Sequence, residues 1–344
     1  MADGIFHFQG RKNLHNSLDL TQLSVLITGG TGSFGQAATK RLLALGCPRV
    51  VIFSRDERKQ EDMARAFVAD AGRLRFFVGD VRDRDRVMRA LDGIDVVLHA
   101  AALKIVPSCE YNPREAIQTN ITGAQNVADA AISNRIQKMA ALSSDKACSP
   151  CTTYGATKRV MESIVTRQNV YAASKPNPRF AYVRYGNVLG SRGSVIQLFR
   201  EQAAAGGPLT ITDPRSTRFW ITLERAVDFV LSCLSTMQGG ETFIPILPNM
   251  KITDLAEAIA PGAEQRTIGL RSGEKLHEVL VSADEAPRAR RLAWDRYVIL
   301  PADPTWPADF SDAGEPVPEG FCYGSNSGSQ LSIQEMRQML EDVP

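Results

Sequence analysis

The sequence predicts an α/β protein built on a doubly wound parallel sheet, followed by a smaller C-terminal domain. Three observations carry this. Through about Leu189, short β-rich runs alternate with longer stretches whose apolar residues recur at helical spacing. The runs are continuously apolar rather than alternating, as strands are when helices cover both faces of a parallel sheet. After Leu189 the rhythm changes to short strands, Gly- and Pro-containing turns and a few helices. Alternating βα units place ligands at the C-terminal ends of the strands.

In chain order, strands are expected at SVLITGG, RVVIFSR, RFFVGDV, DVVLHAA, KMAALSS and FAYVRYGNV. GQAATKRLLAL and PREAIQTNITGAQNVADAAISN supply helices between them. PLTITD reads as a short strand, LERAVDFVLSCL as a helix, and ETFIPIL as a run able to return to the first sheet as its last strand. PADPTWPADFSDAGEPVPEG, rich in Pro and Asp, reads as an irregular surface strap. The expected division gives residues 1–188 and 220–247 to the first domain and residues 189–219 and 248–344 to the second.

Composition sets outer limits. The 344 residues suffice for a substantial core, and 44% hydrophobic with 23% charged residues is ordinary globular usage. A formal charge of +2, from 40 Lys and Arg against 38 Asp and Glu, leaves no basic footprint for a nucleic-acid partner. The opening MADGIFHFQGRKNLHNSLDLTQ is polar and lacks the apolar centre of a secretion signal. No run reaches membrane-spanning length, so no membrane partner is expected. Six scattered cysteines fit reduced thiols and a cytoplasmic location. Cys148 and Cys151 form one C-x-x-C, but no further ligands at suitable spacing accompany it, so no metal is expected and the pair reads as small loop residues.

The first strand runs into TGGTGSFG, giving Gly29-x-x-Gly32-x-x-Gly35 with a helix opening behind it. Glycines there allow a tight turn and let backbone N–H groups approach a pyrophosphate at the helix N-terminus. Strand, glycines and helix coincide at the first βα junction, which is the setting of a Rossmann dinucleotide site. The second strand ends in Ser54-Arg55 rather than in an acid. An acid would bind the ribose 2′-hydroxyl of NAD, whereas Arg55 suits the 2′-phosphate of NADP, with Lys59 as a second charge. Asp56 and Glu57 work against that electrostatic argument, and a solvated charged loop is the plain alternative.

Tyr154-x-x-x-Lys158 follows, with Ser143 and Ser144 upstream at a strand end. If YGATK opens a helix, the spacing puts Tyr154 and Lys158 on one face. The ammonium is then expected to lower the phenol from its usual pKa of about 10, making it a base toward a hydroxyl whose oxygen the serine also holds. Between them sits Asp145-Lys146. Alcohol oxidation does not need this pair; an elimination would use it as acid and base. A surface ion pair is the alternative, which placement at a sheet C-terminus disfavours.

These residues resemble the extended short-chain dehydrogenase/reductases, and within them the inverting UDP-N-acetylglucosamine 4,6-dehydratases of bacterial surface-sugar pathways such as pseudaminic acid synthesis. TGGTGSFG, FSRDERKQ, FFVGDVRD, HAAALK-x-VP with EYNP, SSDKA with YGATK, VRYGNVLGSRGSV, ITDPRSTRFWITLERAV and GEKLHE carry the resemblance from Leu26 to about Glu278. Asp-Lys separates this group from relatives with Asp-Glu at that place. The resemblance implies NADP contacts from Gly29, Thr31, Gly32, Ser33, Phe34 and Gly35 on the first loop. It adds Ser54 and Arg55, then Asp80, Val81, Ala101 and Lys104, and finally Tyr154 and Lys158. UDP-sugar contacts are implied for Lys104, Asn187, Arg192, Thr210, Arg218, Arg271 and Glu274, in keeping with the convergent arginines a diphosphate needs. Assembly into a homo-oligomer, a dimer or a hexamer, is implied as well.

Three departures from the family pattern stand out: Ser144 for a common Thr, Ser272 for a usual Pro, and CSPC beside the catalytic loop. None removes a chemical group the reaction needs. The implied reaction oxidises the sugar at carbon 4 with Tyr154 as base. Lys146 then takes the carbon 5 proton while Asp145 protonates the carbon 6 hydroxyl, and hydride returns to carbon 6 with inversion at carbon 5. A sugar 4-epimerase would leave Asp145-Lys146 without a role, and a non-catalytic NADP sensor would need no Ser144, Tyr154 and Lys158 together.

Overall fold

A computed structural model describes residues 18–172, 178–191, 193–292, 295–302, 310, 313–341 and 343. Most of the polar N-terminal stretch and 303–309 and 311–312 of the expected strap lie outside these residues. The first half alternates as its pattern implies: β1 (Ser24–Thr28), α1 (Ser33–Ala44), β2 (Arg49–Ser54), α2 (Glu57–Ala66), β3 (Leu74–Val78), α3 (Arg84–Ala90) and β4 (Val96–His99). Helices α4 (Val106–Tyr111) and α5 (Pro113–Ile117) lead through a π turn at Gln118–Thr122 into α6 (Gly123–Ser133). Next come β5 (Lys138–Leu142), α7 (Thr153–Tyr171) and β6 (Arg179–Val183).

The later part contains β7 (Asn187–Val188), α8 (Val195–Ala204), β8 (Leu209–Ile211), β9 (Thr217–Ile221), α9 (Leu223–Thr236), β10 (Thr242–Pro245) and β11 (Asn249–Lys251). It continues with α10 (Ile252–Ile259), β12 (Gln265–Thr267), β13 (Val279–Val281), β14 (Ala289–Leu292), β15 (Arg296–Ile299), β16 (Glu315–Pro316), β17 (Tyr323–Gly324) and α11 (Ile333–Glu341).

The main sheet has the order β16-β14-β15-β10-β6-β5-β4-β1-β2-β3. From β3 to β10 every neighbouring pair is parallel, and β14, β15 and β16 extend that sheet with antiparallel pairs. ETFIPIL therefore does return to the first sheet, and residues from the 248–344 stretch add to its edge. Burial of β1, β2, β4, β5 and β6 is nearly continuous because each faces a core on both sides. Val25, Ile27, Val50 and Ile52 pack with Leu42 and Val230 on one face; Leu26, Val51 and Val97 pack with Val127 and Met161 on the other. Strand order reverses at β1, which has β2 on one side and β4 on the other, so the loops after β1 and β4 diverge into a crevice.

A second assembly lies beyond β6. Trp220, Phe199, Leu255 and Met336 centre one core, and Phe219, Leu280 and Tyr323 another. Its central strand is β9, flanked by β11 and β7 and buried at every position. The apolar pattern did not single out TRFWI as a strand, because Thr217 and Arg218 interrupt it. Arg218 is tolerated there because its guanidinium donates to the carbonyls of Thr217 (2.8 Å) and Leu276 (3.1 Å). Among the described residues no helix is long and apolar enough to cross a membrane.

Candidate active site

A cleft of about 970 Å³ runs along the C-terminal ends of β1, β2, β4, β5 and β6 and is closed on the far side by β7, β9 and the loop before β13. At one end lies the glycine loop. Gly29 has φ +66° and sits so close to the next strand's loop that a Cβ would come 2.9 Å from Ala101 Cα. Gly32 is the N-cap of α1, and a Cβ on Gly35 would come 2.3 Å from the Gly30 carbonyl oxygen. Only glycine allows the helix to start this near the strand, and the N-terminal N–H groups of α1 then open on the cleft between Thr31, Ser33 and Phe34. An anionic dinucleotide fits this cradle.

Ser54 ends β2 as a buried residue whose Oγ and carbonyl accept from Gln60 Nε2 (3.0 and 3.1 Å). Arg55 follows it at the rim, half-exposed and 3.6 Å from Asp80. Asp80 is held by Arg82 at 2.7 Å and does not line the cleft; Val81, Ala101 and Lys104 do. Burial holds the Lys104 amine below the usual lysine range. Lys59 is paired with Asp56 at 2.9 Å.

The central group comes from the end of β5. Asp145–Ala147 form a single 3-10 turn, with Ser144 as its cap. Ser144 Oγ donates to Asp145 Oδ1 at 2.7 Å, and Lys146 Nζ lies 3.1 Å from the same oxygen. The start of α7 packs directly on this turn: a Cβ on Gly155 would come 2.3 Å from the Lys146 carbonyl. YGATK thereby delivers Tyr154 beside Ser144 and Lys146. Thr152 caps α7 by accepting from Gly155 N–H at 3.1 Å, and Glu110 accepts from Thr153 N–H at 2.6 Å. Thr152→Ala is expected to cost about 1 kcal/mol of stability, read as a lowered melting temperature.

The electrostatics correct the expectation of a lowered Tyr154 phenol. Burial pushes the Tyr154 phenol up to about 12, with Lys146 and the Ser144 hydroxyl opposing that rise. Lys158 is not among the groups that shift it most, and its Nζ donates to the Leu142 carbonyl at 2.7 Å. Burial brings Lys158 itself down to about 8 against the pull of Glu162. Lys146 moves the opposite way from Lys158: burial favours its neutral form, but Asp145 and Glu278 hold the ammonium above the ordinary lysine range.

On the far wall, Asn187 sits in β7 and Thr210 in β8, whose hydroxyl accepts from Gln202 Nε2 at 2.8 Å. Arg218 of β9 pairs with Glu274 at 3.1 Å, and Arg271, Ser272 and Glu274 share one loop. Arg192 lies outside the described residues. Cys148 is buried, and its thiol donates to Glu285 at 3.6 Å; Cys151 is exposed at the rim. No group of His, Cys, Asp and Glu among the described residues could hold a metal ion.

Sequence reasoning missed Glu278, which is buried with Oε1 3.3 Å from Lys146 Nζ and has no hydrogen-bond partner for Oε2 among the described residues. It also missed the support beneath the site. Arg184 is fully buried between Glu162 and Glu285 (2.8 Å each), and Ser143 donates to Glu162 at 2.5 Å. No residue type or spacing marks these as a group, since they come from the segments just after β5 and β6, from α7 and from the turn after β13.

The polysaccharide biosynthesis protein family matches residues 25–299. The chain is 48% identical to the UDP-N-acetylglucosamine 4,6-dehydratase (inverting) of Campylobacter jejuni, over 93% of this chain and 97% of that one. It is 40% identical to a Rickettsia conorii protein named UDP-glucose 4-epimerase, over 92% and 95%. Among solved structures, Pen from Bacillus thuringiensis superposes with a TM-score of 0.85 at 35% identity, covering 92% of this chain and 96% of that one.

Proposed function

The chain belongs to the polysaccharide biosynthesis protein family, and we propose that it dehydrates UDP-N-acetylglucosamine with inversion at carbon 5, giving UDP-2-acetamido-2,6-dideoxy-β-L-arabino-hexos-4-ulose. The observation that carries this reading is the pair of buried Asp145 and partly buried Lys146, beside Tyr154 and Ser144 in the cleft that the glycine cradle opens on. A bound NADP would supply the hydride acceptor for sugar carbon 4 and the hydride donor for carbon 6, with no net redox change. Gly29, Gly32, Gly35 and the start of α1 would hold its pyrophosphate, and Arg55 its 2′-phosphate.

The remaining work falls to side chains. Tyr154 takes the carbon 4 hydroxyl proton while Ser144 holds the same oxygen. Proton transfer across the 3.1 Å contact from Lys146 to Asp145 turns an ion pair into a neutral amine and a carboxylic acid. Those are the base and acid an elimination needs: Lys146 takes the carbon 5 proton and Asp145 protonates the departing carbon 6 hydroxyl, and as hydride reaches carbon 6 a solvent-derived proton adds to the opposite face of carbon 5. Incubation with UDP-N-acetylglucosamine and mass spectrometry of the nucleotide sugar tests the reading; loss of one water supports it, and an isomer of unchanged mass overturns it.

The Rickettsia relative's name gives the epimerase reading some support. It leaves two interacting ionisable groups in the cleft without a task, so the dehydratase reading is preferred. The same proposal includes the finer assignments: a surface-sugar pathway of the pseudaminic acid type, a cytoplasmic setting, a homo-oligomer, and sugar contacts from Lys104, Asn187, Thr210, Arg218, Arg271 and Glu274.

Arg55 gives a separate test. Asp80 is already engaged by Arg82, and Arg55 stands half-exposed at the rim. NADP⁺ is expected to bind more tightly than NAD⁺, and Arg55→Ala to weaken NADP⁺ by roughly ten- to a hundredfold with little effect on NAD⁺. Calorimetry with both dinucleotides checks this, and equal affinities in the unmutated protein would count against it.

A further inference from the structure

We propose that Glu278 is a positioning residue for Lys146: its buried carboxylate shares the ammonium with Asp145 and fixes where that nitrogen sits and how readily it gives up its proton. The proposal rests on the dehydratase reading for its consequence in catalysis, but its geometry stands alone. Glu278 Oε1 is 3.3 Å from Lys146 Nζ, against 3.1 Å for Asp145 Oδ1. Both carboxylates are buried, and each keeps one oxygen, Glu278 Oε2 and Asp145 Oδ2, without a hydrogen-bond partner among the described residues.

The backbone explains why Glu278 stays there. Its N–H donates to Ser325 Oγ at 2.9 Å and its carbonyl accepts from Ser325 N–H at 2.8 Å. Ser325 Oγ donates in turn to the Thr217 carbonyl at 3.0 Å, tying Glu278 to β9. The second assembly thus reaches across the cleft and presents a carboxylate to the acid–base pair on the first sheet. Holding Arg218 does not account for it: Arg218 is 4.0 Å from Glu278 but is already bonded to Glu274 and two carbonyls.

The groups facing Lys146 are Asp145 from its own turn, Tyr154 from α7, Arg218 from β9 and Glu278. Three carboxylates, Asp145, Glu278 and the Glu274 that engages Arg218, stand against two cations, and the surplus carboxylate favours the charged amine. Removing Glu278's charge therefore makes neutral Lys146 available at lower pH.

The test uses the NADP-saturated enzyme and acetic anhydride at a fixed, mildly alkaline pH. Acetylation of Lys146, followed by peptide mass spectrometry, reads its neutral fraction without turnover, with exposed Lys251 as internal reference. Glu278→Gln is expected to raise Lys146 acetylation by roughly ten- to a hundredfold relative to Lys251, as befits loss of an opposite charge at this range. The rise of dehydration with pH should move to lower pH by the matching amount, with a reduced kcat and little change in KM. Glu278→Asp, which keeps the charge but withdraws it from Nζ, should fall between the two, and it serves as the measured variant if Glu278→Gln does not fold. Acetylation of Lys146 unchanged in the folded variant overturns the proposal. Failure of the unmutated enzyme to release water, with Lys146 acetylation shifted as expected, removes the dehydratase reading and leaves the coupling of Glu278 to Lys146 in place.

Discussion

Tyr154→Phe is expected to lower formation of the 4-keto product by roughly 10²- to 10⁴-fold, the usual contribution of a positioned acid–base group. The phenol is buried, its neighbours across the cleft are Ser144 and Lys146, and burial pushes it up to about 12. Phenolate is therefore scarce at neutral pH, and the sign of the pH dependence follows: if Tyr154 must be ionised, activity rises through the alkaline range. The substitution removes one hydroxyl from a site packed on Cys109 and Ala116, so the melting temperature should change little. A single-turnover assay for NADPH absorbance together with a thermal melt separates loss of chemistry from loss of fold. Turnover within a few-fold of the parent would assign the first proton transfer to another group.

The glycine loop was legible in the sequence because Gly29, Gly32 and Gly35 coincide with the end of one apolar run and the start of a helical one. Their tight contacts with Ala101 and Gly30 are the physical reason for the pattern. Tyr154 and Lys158 were legible as a helical pair, and they do share the first turns of α7. The direction of the Lys158 amine was not, since the Leu142 carbonyl that receives it is set by how α7 crosses the end of β5. Asp145 and Lys146 were legible as neighbours, but the proton affinity of Lys146 was not. It depends on Glu278, which is 132 positions from Lys146 (278 − 146) and reaches it only because the second assembly folds over the cleft. The buried Arg184 with Glu162 and Glu285 shows the same limit: charged residues read as surface until the partners that neutralise them are in view.

Lys146→Met carries the largest consequence, because inversion at carbon 5 depends on the base that faces it. In the resting site Asp145 and Glu278 outweigh burial and keep Lys146 an ammonium, so the amine must lose its proton before it acts. Transfer to Asp145 within the pair meets that need, and dehydration should rise with pH as the amine form becomes accessible. With methionine in place the first oxidation remains possible, since Tyr154 and Ser144 are untouched. The elimination loses its base, and water release should fall by roughly 10²- to 10⁴-fold. In heavy water the unmutated enzyme is expected to place deuterium at carbon 5 of a product of inverted configuration, whereas Lys146→Met should accumulate no dehydrated product. NMR of the nucleotide sugar decides: retained configuration at carbon 5 means that the proton returns to the face it left and overturns the inverting reading, and dehydration persisting in Lys146→Met takes the base role away from this residue.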